Sequence, residues 1–244
     1  MNPEQNVLPL TLRRRDEDGE PVTSTRQVPA SRTALVLCDV WDRHWSRGAA
    51  ERVDLLAPVI DQVARHLRST GVLIVHAPSE TLDSYRGHPA RRRILDVPRV
   101  EPPSNPAVPE PPLPIDDSDG GSDTGETSWS AVWTRQHAAV AIEDGDAISD
   151  DGAEIYSLLS LEKRDLVLVA GVHTNMCVLR RSFGLRNLVR WGLSPVLLRD
   201  LTDAMYNPAM PPYVSHQRGT ELVVEHIERY LCPTALGADL LPRA

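Results

Sequence analysis

Lysine is nearly missing from this chain: Lys163 is the only one among 26 basic residues, and all the others are arginine. Chemistry that needs a titratable amine therefore has one position to draw on, because an arginine keeps its proton at ordinary pH. Cysteine is also scarce. Cys38, Cys177 and Cys232 are odd in number and far apart, which argues against a disulfide framework and a zinc ribbon and suits a reducing cytoplasm. No basic run interleaves with aromatics and the net charge is −8, so nucleic acid is not an expected partner. The trio Arg91, Arg92 and Arg93 reads as a solvated helix face. No stretch approaches the roughly 18 to 20 apolar residues of a membrane span, and the polar, charged first 30 residues carry no export signal. A soluble cytoplasmic protein acting on a small molecule is expected.

What the chain does contain is 244 residues with 41% hydrophobic content and no internal repeat, enough for one large domain with an elaborated insert. Residues 1–31 read as an N-terminal extension, with a hairpin from Leu10–Arg15 to Val22–Val28 turning at Asp18, Gly19 and Glu20. The periodic pattern then begins and defines a domain over 32–235, followed by a tail over 236–244. Strand Ala34–Asp39, a helix over Arg52–Thr70 stopped by Gly71, and strand Val72–Ala77 make a right-handed βαβ unit. Residues 78–137 break the rhythm with Pro102, Pro103, Pro106, Pro109, Pro111, Pro112 and Pro114 before an acidic stretch. Alternation resumes with strand Ala138–Ile142, a helix near Asp151–Leu161, strand Leu166–Ala170, a helix from Cys177 to Trp191, strand Val196–Arg199 and a helix over Gly219–Tyr230. This predicts a three-layer α/β/α fold around a mostly parallel sheet of five or six strands. Ligands in such sheets bind beyond the strand carboxyl ends, where Asp39, His76, Cys177, Asp200 and Asp203 fall.

The segment DLVLVAGVHTNMCV, Asp165 to Val178, runs a buried strand into a glycine, a turn and Cys177 at the predicted start of a helix. There the helix dipole and free N–H groups favour thiolate over thiol. Geometry alone leaves two readings open, a reactive nucleophile or an inert buried thiol.

A strand ending in Asp39 followed by a Gly171, Thr174, Cys177, Val178 spacing resembles the isochorismatase-like cysteine hydrolases over roughly residues 33–232, many of which hydrolyse small amides, nicotinamide and N-carbamoyl compounds among them. The resemblance implies Cys177 as nucleophile, Asp39 as base, a cis Val172–His173 peptide, and an oxyanion hole from the N–H groups of His173 and Cys177. It also implies a lysine just after the third strand, to offset the like charges of carboxylate and thiolate. Strand Ala138–Ile142 is followed instead by Glu143, Asp144, Gly145 and Asp146. Arg135 and Glu143 are the candidates for that place. Three readings follow: a cysteine hydrolase of a C–N bond with an altered triad, a vinyl-ether hydrolase using Asp39 without a covalent intermediate, and a non-catalytic binding or assembly protein.

Trp41, His44, Trp45, His76, Trp133, Thr174 and Tyr206 are the candidate substrate-binding residues, the aromatic ones suiting a planar or cyclic ligand. Asp42, His44 and His76 do not reproduce a metal-site spacing clearly, and no cofactor is expected. Asp116 to Glu126 lacks the spacing of a calcium loop, so Asp117, Asp119, Asp123 and Glu126 read as locally capped. Asp200 and Asp203 read as structural hydrogen-bonders, with His216 near the site or a neighbouring subunit. A homo-oligomer is expected from the family resemblance.

Overall fold

The computed structural model describes residues 6–104 and 110–242. Pro106 and Pro109 of the proline run, the first residues of the extension and the last two of the tail lie outside the described residues. Strands β1 (Val7–Arg15) and β2 (Pro21–Pro29) form the expected hairpin. β3 (Thr33–Cys38), helix α1 (Arg47–Thr70) and β4 (Leu73–Ala77) form the expected βαβ unit. Next come α2 (Pro89–Leu95), β5 (Ala147–Ile148), α3 (Gly152–Leu161), β6 (Leu166–Val172), α4 (Cys177–Arg180) and α5 (Leu185–Arg190). β7 (Ser194–Asp203), α6 (His216–Tyr230) and β8 (Thr234–Ala235) complete the chain.

The sheet order is β2-β1-β8-β7-β6-β3-β4-β5, and the six strands from β8 to β5 are parallel. Side chains alternate across the sheet, as the strand period demands. On β3, Leu35 and Leu37 pack into the core that holds α1, whereas Ala34, Val36 and Cys38 face the core that holds α3, α5 and α6. That is the predicted three-layer architecture. Helix α1 starts where the Ser46 hydroxyl accepts the Ala49 N–H and stops at Gly71 in a left-handed conformation. No helix among the described residues is long and apolar enough to cross a membrane.

Three expectations need correction. The third strand is the two-residue β5 at Ala147–Ile148, not Ala138–Ile142, where the apolar run instead turns over the Gln136 amide and α1. The helix after Cys177 is broken: α4 ends after one turn, Arg181 leaves it with extended backbone, and α5 restarts after Gly184. The sheet has eight strands rather than five or six, because β1 pairs with β8 at Arg13 and Thr234 and so joins the hairpin to it.

Close approach of β3 and β6 needs Gly171. Its φ is +113, it is in register with Cys38, and an added Cβ would overlap the Cys38 carbonyl oxygen. Gly71 has a similar φ of +99 but open space around it. Gly171→Ala should therefore cost about 3 kcal/mol or more in urea denaturation, against about 1 kcal/mol for Gly71→Ala. Equal losses would mean that the backbone angle, not the approach of β3, sets the requirement.

Candidate active site

Asp39 follows β3 directly and is fully buried, with a φ of +49. Its N–H donates to the Ala77 carbonyl at the end of β4, which aims the side chain across the strand ends. Oδ1 accepts the Ser79 N–H at 2.8 Å and Oδ2 accepts Arg181 Nε at 2.9 Å. Burial raises the Asp39 pKa, and Arg181, Ser79 and the Cys177 thiol offset only part of that rise.

Cys177 opens α4 after β6 and the turn His173–Met176. Asp39 and the His173 backbone are its polar neighbours, the carboxylate raising the thiol pKa and the His173 peptide lowering it. The Val172–His173 peptide is cis, as the family resemblance implied. The Cys177 N–H, at the first position of α4, has no acceptor among the described residues. Burial and the Asp39 charge push the thiol up to about 12. The expected thiolate at a helix N-terminus is not what forms, because one turn of helix carries little dipole and the nearest charge is negative.

The cation of the site is Arg181, and sequence reasoning missed it. Its guanidinium holds Asp39 at 2.9 Å and Glu80 at 3.3 Å, and it lies 5.8 Å from the centroid of the Trp41 ring. Burial opposes the charge, but Asp39 and Cys177 outweigh it and hold the Arg181 pKa above its usual value. The signal was its position four residues after Cys177, where one helical turn returns a side chain to the same face. Neither sequence candidate for this role is here. Arg135 is exposed and tied through its backbone to Asp42, and Glu143 is exposed with its N–H on Asp146. With β5 relocated, the residues just after the third strand are Ser149 and Asp150, and neither is basic.

A cavity of about 630 Å³ opens onto Cys177, with an aromatic wall of Trp41, His44, Trp45, Trp129 and Trp133. Trp41 and Trp133 stack with ring centroids 4.1 Å apart and planes at 8°. The Trp41 indole N–H donates to the Ser79 carbonyl, so the wall and the Asp39 cradle share one turn. The insert supplies much of the rest, with Asp117, Asp119, Gly120, Thr127 and Trp129, the last missed by sequence reasoning. His44 and His173 touch edge to face at 4.8 Å. Burial lowers them to about 4 and about 3, so both are neutral at pH 7.

Three expected binding residues lie elsewhere. His76 is buried between Gln136 Oε1 at 2.8 Å and Asp146 Oδ2 at 3.0 Å, on the α1 face of the sheet where Arg68 also reaches Asp146. Thr174 is buried against Thr202, hydroxyl to hydroxyl at 2.7 Å. Tyr206 is buried with its hydroxyl donating to Met210 O, packed against Gly219. All three lie at strand ends, but their side chains serve internal hydrogen bonds. Asp42, His44 and His76 diverge into separate networks, and no group of three metal-ligating side chains occurs among the described residues. In the acidic loop, Asp117 accepts from Asn175, Asp119 from Gly121 and Asn207, Asp123 from Arg52, and Glu126 from Ser122 and Thr124. Asp200 caps Gly237 and Ala238, and Asp203 holds Arg52 and His216.

The architecture is shared with solved hydrolase structures. A cysteine hydrolase from Pseudomonas syringae pv. phaseolicola 1448A superimposes with a TM-score of 0.53 at 15% identity, over 87% of this chain and 92% of that one. The fold is isochorismatase-like. An isochorismatase from Pseudomonas putida KT2440 aligns with a TM-score of 0.52 at 12% identity, over 87% of this chain and 91% of that one. An isochorismatase family protein from Burkholderia thailandensis gives 0.50 at 14% identity, over 86% and 94%. No protein-family model and no curated protein matches the sequence. At such identities the isochorismatase-like likeness is one of fold, and the site has to be judged on its own geometry.

The raised thiol makes a direct prediction. Iodoacetamide labelling of Cys177 should be slow near pH 7 and climb with pH without a plateau below about 10, with buried Cys38 and Cys232 as internal controls. Asp39→Asn removes the opposing charge and lowers the thiol pKa, so labelling at fixed pH should quicken about tenfold per pKa unit. A plateau near neutral pH in the wild type would contradict the geometry described.

Proposed function

We propose that this chain is a hydrolase of a small-molecule C–N bond, an amide, imide or carbamoyl linkage, that works through Cys177. The observation that carries this reading is Cys177 on the wall of the cavity next to a buried carboxylate, the carboxylate held by Arg181 at 2.9 Å, with the Cys177 N–H at the start of α4 given no acceptor among the described residues.

The chemistry follows from that arrangement. As the sulfur attacks the carbonyl carbon, the thiol proton passes to Asp39, whose raised basicity suits a general base. The carbonyl oxygen becomes an oxyanion that accepts from the N–H groups of His173 and Cys177. Collapse breaks the C–N bond, and the leaving nitrogen takes the proton from Asp39. Water then attacks the thioester while Asp39 takes its proton. The second collapse releases the acid and leaves a thiolate, which recovers the proton from Asp39. Arg181 carries no proton in any step. It keeps Asp39 ionised inside a buried site and fixes one of its carboxylate oxygens. The tryptophan wall beside Cys177 suits a flat or cyclic substrate.

The active form has Asp39 ionised and Cys177 protonated. Activity should therefore rise through the elevated Asp39 pKa and stay level to about pH 10, since the thiol sits near 12 and the cation does not titrate. Arg181→Lys should keep the Asp39 partner and add an alkaline limb near pH 10. The assay is ammonia or amine release from a panel of small amides and carbamoyl compounds. Cys177→Ser and Asp39→Asn should each abolish turnover. Turnover that survives Cys177→Ser but not Asp39→Asn would favour vinyl-ether hydrolysis by the aspartate alone.

A further inference from the structure

A second cavity of about 620 Å³ lies between the N-terminal hairpin, β7 and α6, nearly as large as the one over Cys177. Arg13, Arg15, Arg52 and Arg199 line it. Three of these are engaged by carboxylates. Arg13 holds Glu228 at 2.7 Å, Arg15 holds Glu225 at 3.0 Å, and Arg52 holds Asp123 and Asp203, both at 2.8 Å. Arg199 is different. Nη1 donates to Thr234 Oγ1 at 3.3 Å, and no carboxylate lies within 4.0 Å of its guanidinium among the described residues. The adjacent Asp200 does not serve it, because both carboxylate oxygens cap Gly237 and Ala238. Glu221 and Glu225, on the cavity's other side, pair with Arg218.

The side of Arg199 formed by Nε and Nη2 is the edge that grips a carboxylate or phosphate with two parallel hydrogen bonds, and it has no acceptor among the described residues. Arg13 spends only Nε on Glu228. Arg13 and Arg199 line the same half-enclosed cavity, where burial and the like charge of Arg13 lower the Arg199 pKa and Glu228, Asp200 and Asp239 offset only part of that. An anion between the two arginines would offset that like charge.

The cavity wall also reaches the nucleophile turn. Thr202 and Asp203 line it, and the same two residues hold Thr174, through the hydroxyl pair at 2.7 Å and the Thr174 N–H on the Asp203 carbonyl at 2.9 Å. Thr174 is three residues from Cys177. We infer that this cavity is an effector site for a small anion bearing a carboxylate or phosphate group, gripped by Arg199 and Arg13, whose occupancy is felt at Cys177 through Thr202, Asp203 and Thr174.

The test uses the full chain and two probes, inorganic phosphate and malonate, in calorimetric titration and in the rate of Cys177 alkylation. The alkylation readout needs no substrate and stands apart from the proposed hydrolysis. Saturable binding is expected, with at least one probe changing the alkylation rate about threefold or more. Arg199→Gln should weaken binding about tenfold and abolish the rate effect, while Arg199→Lys, which keeps the charge but loses the fork, should fall between. The response to the two probes tells which anion the site takes. Absence of saturable binding to about 50 mM would overturn the proposal. Binding without a rate change would overturn it as an effector site. An effect that persists in both Arg199 variants would place the anion elsewhere and overturn it as well.

Discussion

The ion pair between Asp39 and Arg181 is the constraint around which the site is arranged. A fully buried carboxylate at the end of a parallel strand is costly unless a cation and hydrogen bonds meet it. Here β3 delivers Asp39, the turn after β4 delivers the Ser79 N–H, and the break after α4 delivers Arg181. Each partner comes from a different stretch of chain, so the site exists only when the sheet is assembled. The one-turn helix ends at the same place, for Arg181 leaves the helical path where it pairs with Asp39.

An arginine in this place divides labour differently from a lysine. A lysine can offer its proton, whereas arginine supplies charge and direction only. All proton movement then falls to Asp39, whose burial raises its basicity while Arg181 keeps it ionised. The chain's arginine bias is visible in its other buried networks too. Arg68 meets Asp146 beside His76, and Arg52 joins Asp123 to Asp203 behind the nucleophile turn. The insert, which looked irregular, closes the cavity with Trp129, Trp133 and its acidic loop.

The strands bordering the site were legible because buried parallel strands read as short β-branched runs ended by charge or glycine. Cys177 was legible as the residue at a strand-to-turn junction, whereas Asp39 and His173 entered as what the family resemblance implies. Trp41, His44 and Trp45, clustered beside Asp39 in the sequence, line the cavity, and so does Trp133 from the insert. The third strand was misplaced because Ala138–Ile142 has the composition of a strand, while β5 is two residues long and set by pairing with Val75 and His76. That displacement carried the search for a cation to Glu143 and Arg135. Arg181, four residues after Cys177, was passed over because the cation was sought after the third strand, and the periodic pattern did not reveal that the helix breaks there. His76, Thr174 and Tyr206 show the same limit: a residue at a strand end can point toward the ligand or away from it, and only the sheet face decides.

The most direct test of this account is a double-mutant cycle for stability at neutral pH, combining Asp39→Asn and Arg181→Met in urea denaturation. Arg181→Met alone strands a buried carboxylate and should be clearly destabilising, whereas in the Asp39→Asn background the same change should cost little. The account predicts a coupling of at least about 1 kcal/mol, kept modest because Arg181 is 27% exposed. Additive effects within about 0.5 kcal/mol would contradict it, for Arg181 would then be a surface arginine that happens to lie near the site.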